Sequence, residues 1–187
     1  MNTNRKPGGY QNLFGYQIGL LLYELNMNFC KSYLCKIEYK RTVEQMIQAA
    51  RSGKQNIVEG SMANSVENYL KLLGVSRASF GELKEDYVDY LNVHKLKLWF
   101  KNDPRVTQIR QLRLTKNFEE NKKLVLYFQR GPESFANLMI TIIYREIYIL
   151  GQLLKALESK FICEGGFREN LFKKRNTYRD KSYTRKL

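Results

Sequence analysis

The sequence predicts an all-α fold: an antiparallel up-down four-helix bundle with an irregular or short-helical insertion before its last long helix and a basic C-terminal suffix. Three observations point there. The 187 residues include only 3 prolines, so long uninterrupted helices are permitted while a strand-and-turn architecture finds few signals. Four stretches carry apolar residues at three- to four-residue spacing, the pattern of helices that bury one side. Apolar residues make up 43% of a chain long enough to bury a core as one domain without disulfides.

Residues 1–12 hold Pro7, Gly8 and Gly9 with little periodicity, and read as a loose leader. A first helix is predicted over 13–36, where Ile18, Leu21, Leu22, Leu25, Phe29 and Leu34 fall on one side. A second covers 37–61, with Val43, Met46, Ile47, Ala50, Ile57 and Val58 as its stripe. Gly53 costs about 1 kcal/mol relative to Ala inside a helix, which suits a close backbone approach. Gly60 reads as the left-handed cap that ends this helix. After a polar turn, Asn64 or Ser65 caps a third helix over 66–93, with Glu67 placed to favour its positive end. Its stripe runs through Leu70, Leu73, Phe80, Leu83, Tyr87 and Leu91.

Periodicity fails from 95 to 132, an excursion bracketed at its end by Gly131-Pro132, within which residues 106–114 suit a short helix. So long a connection is functional or partly folded. The final long helix, over 133–163, is apolar nearly all round between Leu138 and Leu154. That surplus calls for a second burial surface, either the suffix or another subunit. Gly165-Gly166 ends it. The organisation is thus a leader (1–12), a bundle (13–163) that includes the excursion, and a suffix (164–187).

The charge is unevenly placed. Net charge is +14, yet residues 95–130 hold ten basic against three acidic side chains and residues 168–187 hold eight against two, leaving the rest of the chain near neutral. Trp99, Phe100, Phe118, Tyr127 and Phe128 lie in the first segment, and Phe172, Tyr178 and Tyr183 in the second. Cations interleaved with rings suit a polyanion whose phosphates meet Lys and Arg while unstacked bases lie on rings. A solvated face with a disordered tail and attachment to a membrane surface are the competing readings. The candidate nucleic-acid contacts are Arg105, Arg110, Arg113, Lys116, Lys122, Lys123 and Arg130 in the excursion. In the suffix they are Arg168, Lys173, Lys174, Arg175, Arg179, Lys181, Arg185 and Lys186.

Glu82, Glu85, Asp86 and Asp89 share one face of the third helix, roughly opposite its apolar stripe. A di-iron bundle needs two Glu-x-x-His pairs, and the single histidine, His94, belongs to none. The acidic face is therefore either solvated or a contact with a basic neighbour or another subunit. No nucleophile, base and orienting group can be assembled from spacing, no phosphate loop occurs, and no cofactor or metal is implied, so an enzyme is not the expectation. Cys30, Cys35 and Cys163 form no C-x-x-C and are odd in number, which fits small core residues in a reducing compartment. With no secretory-type apolar region at the start and Arg145 and Glu146 interrupting the greasiest segment, no membrane is expected and a cytoplasmic location is.

Three blocks carry a family resemblance: ARSGKQNIVEGS (50–61), LKLLGVSRASFGELKEDYVDYL (70–91) and ALESKFICEGGFRENLFKKR (156–175). They resemble the bacterial four-helix-bundle proteins first noticed as reading frames within 23S rRNA intervening sequences, in the version with a C-terminal suffix. Relatives of that fold include the accessory variability protein of diversity-generating retroelements, a basic homopentameric barrel that binds a reverse transcriptase and template RNA during cDNA synthesis. The resemblance implies a non-catalytic subunit of a homo-oligomer, a pentamer by analogy, with RNA or RNA/cDNA and a reverse transcriptase as partners. Arg51, Lys54 and Arg77 would then present charge to a partner, or pair with Glu59, Glu82 or other carboxylates of the bundle. The alternative is a protein-interaction scaffold with no direct nucleic-acid role.

Overall fold

The computed structural model describes residues 9–184, with side chains through residue 179. Every regular element among them is helical: α1 (Phe14–Tyr33), α2 (Lys40–Met62), α3 (Val66–Val93), α4 (Pro104–Gln111), α5 (Phe118–Val125), α6 (Pro132–Glu164) and α7 (Phe167–Thr184). A short 3-10 turn, Gly9–Asn12, precedes α1, and two more, Ile37–Tyr39 and Leu126–Gln129, lie between α1 and α2 and between α5 and α6. Part of the expected leader, residues 1–8, lies outside the described residues.

Helices α1, α2, α3 and α6 enclose the core, with α2 against α3, α3 against α6, α1 against α2 and α6 back against α1. Leu21, Leu22 and Phe29 of α1, Met46 and Ile57 of α2, Leu73, Phe80, Leu83 and Tyr87 of α3, and Leu138 and Met139 of α6 are all fully buried. Fully burying a Leu, Ile, Phe or Met side chain contributes about 1.5–3 kcal/mol, so this shared interior is the main source of stability. At one end Phe29 meets Tyr87, Tyr90 and Phe135 edge-on, with ring centroids 4.9, 4.9 and 5.4 Å away. The Tyr87 hydroxyl donates to Asn26 Oδ1 at 2.8 Å within this interior.

Helix ends follow local chemistry. Ser65 Oγ accepts the Asn68 N–H at 3.2 Å to start α3. Asp103 Oδ1 accepts the Arg105 N–H at 2.9 Å, with Pro104 in the first turn of α4. Asn117 Oδ1 accepts from Glu119 and Glu120 at 3.1 and 3.3 Å, and α5 then carries acids in its first turn and lysines in its last, as its dipole favours.

The structure corrects several boundaries. The first helix stops at Tyr33, not 36, and residues 37–39 form a 3-10 turn before α2 begins. Gly60 does not end α2, which continues to Met62: a Cβ at Gly60 would stand 2.7 Å from the Tyr69 ring, so the glycine admits a crossing side chain. Gly53 has the same role, since a Cβ there would meet the Phe80 ring at 2.7 Å. The excursion holds two short helices. Its helix α4 and the turn Leu126–Gln129 pack on α6, while α5 packs on α1. The apolar surplus of α6 is thereby covered in large part from within the chain. The suffix is helical as well, and follows Gly165, whose φ of 76° is cheap only for glycine.

Candidate nucleic-acid interface

The excursion is fastened before it presents anything. After α3 the chain turns through Lys95, at φ 54°, and runs extended beside the start of α6. Asn137, buried in α6, accepts the Trp99 N–H at 2.8 Å and donates to the Lys97 carbonyl at 2.9 Å. Glu133 accepts the Lys97 N–H at 3.1 Å and the Trp99 indole N–H at 2.8 Å. These donors hold the Glu133 carboxyl below its ordinary range, with Trp99 the largest contributor.

Arg105 closes this joint. Its guanidinium lies 3.9 Å from the Trp99 ring centroid, donates to Asp103 Oδ2 at 2.8 Å and stands 3.7 Å from Glu133. Hydrogen bonding from Arg105 brings the Asp103 carboxyl down to about 2. Arg105 is thus engaged within the fold, and so is Lys122, which lies 3.5 Å from Glu24 of α1 and 3.9 Å from Glu119. Trp99 and Phe128 are buried and offer no face to a base.

The remaining cations of the segment point outward. Arg110, Arg113, Lys116, Lys123 and Arg130 are exposed, as are Lys95, Lys97 and Lys101. Two rings stand among them, Phe100 at 73% and Tyr127 at 63% exposure. The Arg130 guanidinium lies 4.8 Å from the Tyr127 ring centroid, a cation already in place beside a stacking surface. Lys123, Tyr127 and Arg130 follow one another at helical spacing, so one side of the α5 and 3-10 unit carries charge, ring and charge.

The suffix supplies a second basic surface. On α7, Arg168, Lys173, Lys174, Arg175 and Arg179 are exposed, together with Phe167, Leu171, Phe172 and Tyr178. Lys181 falls within the helix, beyond the described side chains, and Arg185 and Lys186 lie outside the described residues. The first turn of α7 is held at the start of α3. There Glu67 sits below its ordinary range, chiefly through its own backbone N–H, with help from Ser65 and the Phe167 N–H.

The other candidates distribute over α2 and α3. Arg51 is exposed on α2, and Lys54 Nζ lies 4.5 Å from the Tyr23 ring centroid. Arg77 stands at the rim of a groove between α3 and α6. Neither Glu59 nor Glu82 forms an ion pair with them among the described residues. Glu82 and Asp86 border a polar groove between α2 and α3, beside Glu44. Burial first, then Asp89 and Glu82, pushes the Asp86 carboxyl up to about 6. Glu85 pairs with Lys84 at 2.6 Å, and Asp89 is exposed on the same face.

Sequence reasoning missed Tyr144 and Tyr148, which stand exposed on α6 along the α3–α6 groove, over a floor that includes Leu70, Ile147 and Leu154. Their spacing of four residues on an otherwise apolar helix was the available signal. Among the described residues no group of three or more His, Cys, Asp or Glu side chains is placed to hold a metal, and no helix is long and apolar enough to cross a membrane. Comparison with protein-family models, with curated proteins and with solved structures returns no match.

Proposed function

We propose that the protein is a non-catalytic, basic accessory subunit that binds single-stranded nucleic acid, RNA in the first instance, through the excursion and the suffix. In this reading α1, α2, α3 and α6 form an antiparallel up-down bundle that serves as the rigid holder, and the family likeness of the sequence supplies the wider setting. That setting is a homo-oligomer, pentameric by analogy, which works with a reverse transcriptase in diversity-generating retroelement cDNA synthesis. The observation that carries the reading is the segregation of charge: residues 95–130 and 168–187 hold nearly all of the net +14, and Phe100 and Tyr127 stand exposed among the first group. Phosphates meet Arg110, Arg113, Lys116, Lys123 and Arg130, and a base stacks on Tyr127.

The exposed groove between α3 and α6 favours the second reading, a protein-interaction scaffold without a direct nucleic-acid role. Fluorescence anisotropy with labelled single-stranded RNA separates the two. The triple variant Lys116→Gln, Lys123→Gln, Arg130→Gln loses tenfold or more in affinity if the excursion binds RNA. Unchanged affinity, or none in the wild type at micromolar protein, leaves the scaffold.

A further inference from the structure

The outer face of α3 is bare among the described residues. Gly74, Ala78 and Gly81 run along it, and a Cβ on either glycine would meet nothing within 4 Å. On one side lies the α3–α6 groove with the exposed rings of Tyr144 and Tyr148. On the other stand Glu82, Glu85, Asp86 and Asp89, of which Glu85 alone has a cation within 4.0 Å among the described residues. A chain of net charge +14 thus carries a row of acids short of counter-charge.

Helix α7 has the opposite character. It makes no extensive contact with any other element. Phe167, Leu171 and Tyr178 form an exposed apolar stripe along it, and Arg168, Arg175 and Arg179 form a basic stripe next to that one. A lone helix of this length is marginal in water, so α7 lacks the packing from which protein helices draw most of their stability.

We infer that α7 of one copy docks on the outer face of α3 of a second copy, its apolar stripe in the Tyr144–Tyr148 groove and its arginines on the acidic row. Arg175 and Arg179 are four residues apart, as are Glu82 and Asp86, so both pairs span about 6 Å along their helices. The chain's own α7 is out of register for this contact. It starts beside Glu67, from which Glu82 lies about 22 Å along α3, whereas Arg175 lies only about 12 Å along α7. A second copy is free of that constraint. The smooth Gly74–Ala78–Gly81 strip allows the incoming helix close approach. Lys173 falls away from the docked stripes and remains open to phosphates, whereas Lys174 lies between Leu171 and Tyr178 on the docked side. The docking rests on the oligomer in the proposed function and is independent of its RNA.

Charge exchange tests it. The nuclease-treated full chain is weighed by light scattering, and a multiple of the 22.1 kDa protomer is expected. The variants Glu82→Lys with Asp86→Lys, and Arg175→Glu with Arg179→Glu, each fall to protomer mass. Mixed in equal amounts they assemble again, because the α7 of each then meets the opposite charge on α3 of the other: a ring with an even number of copies regains the wild-type mass, an odd one gives a mass above the protomer, and a misfolded variant does neither. A wild-type protomer at micromolar protein overturns the inference. So does wild-type mass retained by both variants, or protomer mass that persists on mixing. Loss of RNA affinity in the arginine variant with its mass unchanged assigns those arginines to nucleic acid and likewise overturns it.

Discussion

Glu146 sits in the interface between α6 and α1 at 0% exposure, and among the described residues neither of its carboxyl oxygens has a hydrogen-bond partner. It faces Gly15, where a Cβ would come 3.2 Å from its Oε1, with Leu150 and Ile149 alongside. The neighbouring Arg145 offers no relief. Its guanidinium donates to the Leu112 carbonyl at 2.9 Å and lies over Phe14. Burial therefore pushes the Glu146 carboxyl well above its ordinary value of 4.5. The sign follows from linkage. The folded state holds the proton more tightly than the unfolded chain, so stability is full below pH 4.5 and falls as pH rises from there toward the folded value. Each pH unit in that window removes about 1.4 kcal/mol, so Glu146→Leu is more stable than the wild type near neutral pH and its advantage widens as pH rises through the window. Urea denaturation of both proteins between pH 5 and pH 8 measures it. Asp86 titrates in the same direction up to about 6, and the difference between the two proteins cancels its share. A gap that stays constant with pH, or a leucine variant less stable than the wild type at neutral pH, refutes the reasoning.

Two further outcomes concern packing. Gly53→Ala destabilises by roughly 1–2 kcal/mol, because overpacking against Phe80 outweighs the propensity gain, whereas Gly74→Ala, which meets nothing, stabilises by up to about 1 kcal/mol. Thermal melts that move in the same direction for both contradict the glycine assignments. Asn137→Leu strands the Trp99 N–H and the Lys97 carbonyl and costs about 3 kcal/mol, with faster amide exchange from 95 to 101 while α2 keeps its protection. Uniform exchange across the chain would show that the excursion is not fastened at this joint.

Helix α3 was legible end to end, Val66–Val93, because Ser65 caps it and one apolar stripe runs its whole length. The joint between α1 and α2 was not. Residues 37–39 continue a helical pattern, yet Ile37 is 87% exposed and packs on nothing that would reward helix there. Gly60 was read from local propensity as a terminator, whereas its reason is the Tyr69 ring, a partner on another helix. The excursion's charge was plain in the sequence and its fastening was not: Arg105 and Trp99 meet Glu133 across 28 and 34 residues, a pairing that only the folded chain brings together. The suffix helix was hidden for a related reason. Its apolar positions are sparse, and no core contact in the protomer reports them.

The salt dependence of RNA binding tests the central claim most directly. If about six cations of the excursion and suffix meet phosphates, log K falls with log salt at a slope near −4 for a single strand. The Lys116→Gln, Lys123→Gln, Arg130→Gln variant then gives a slope shallower by about 2. Affinity that hardly changes between low and physiological salt, or an identical slope in the two proteins, contradicts a polyanion-binding role for this surface.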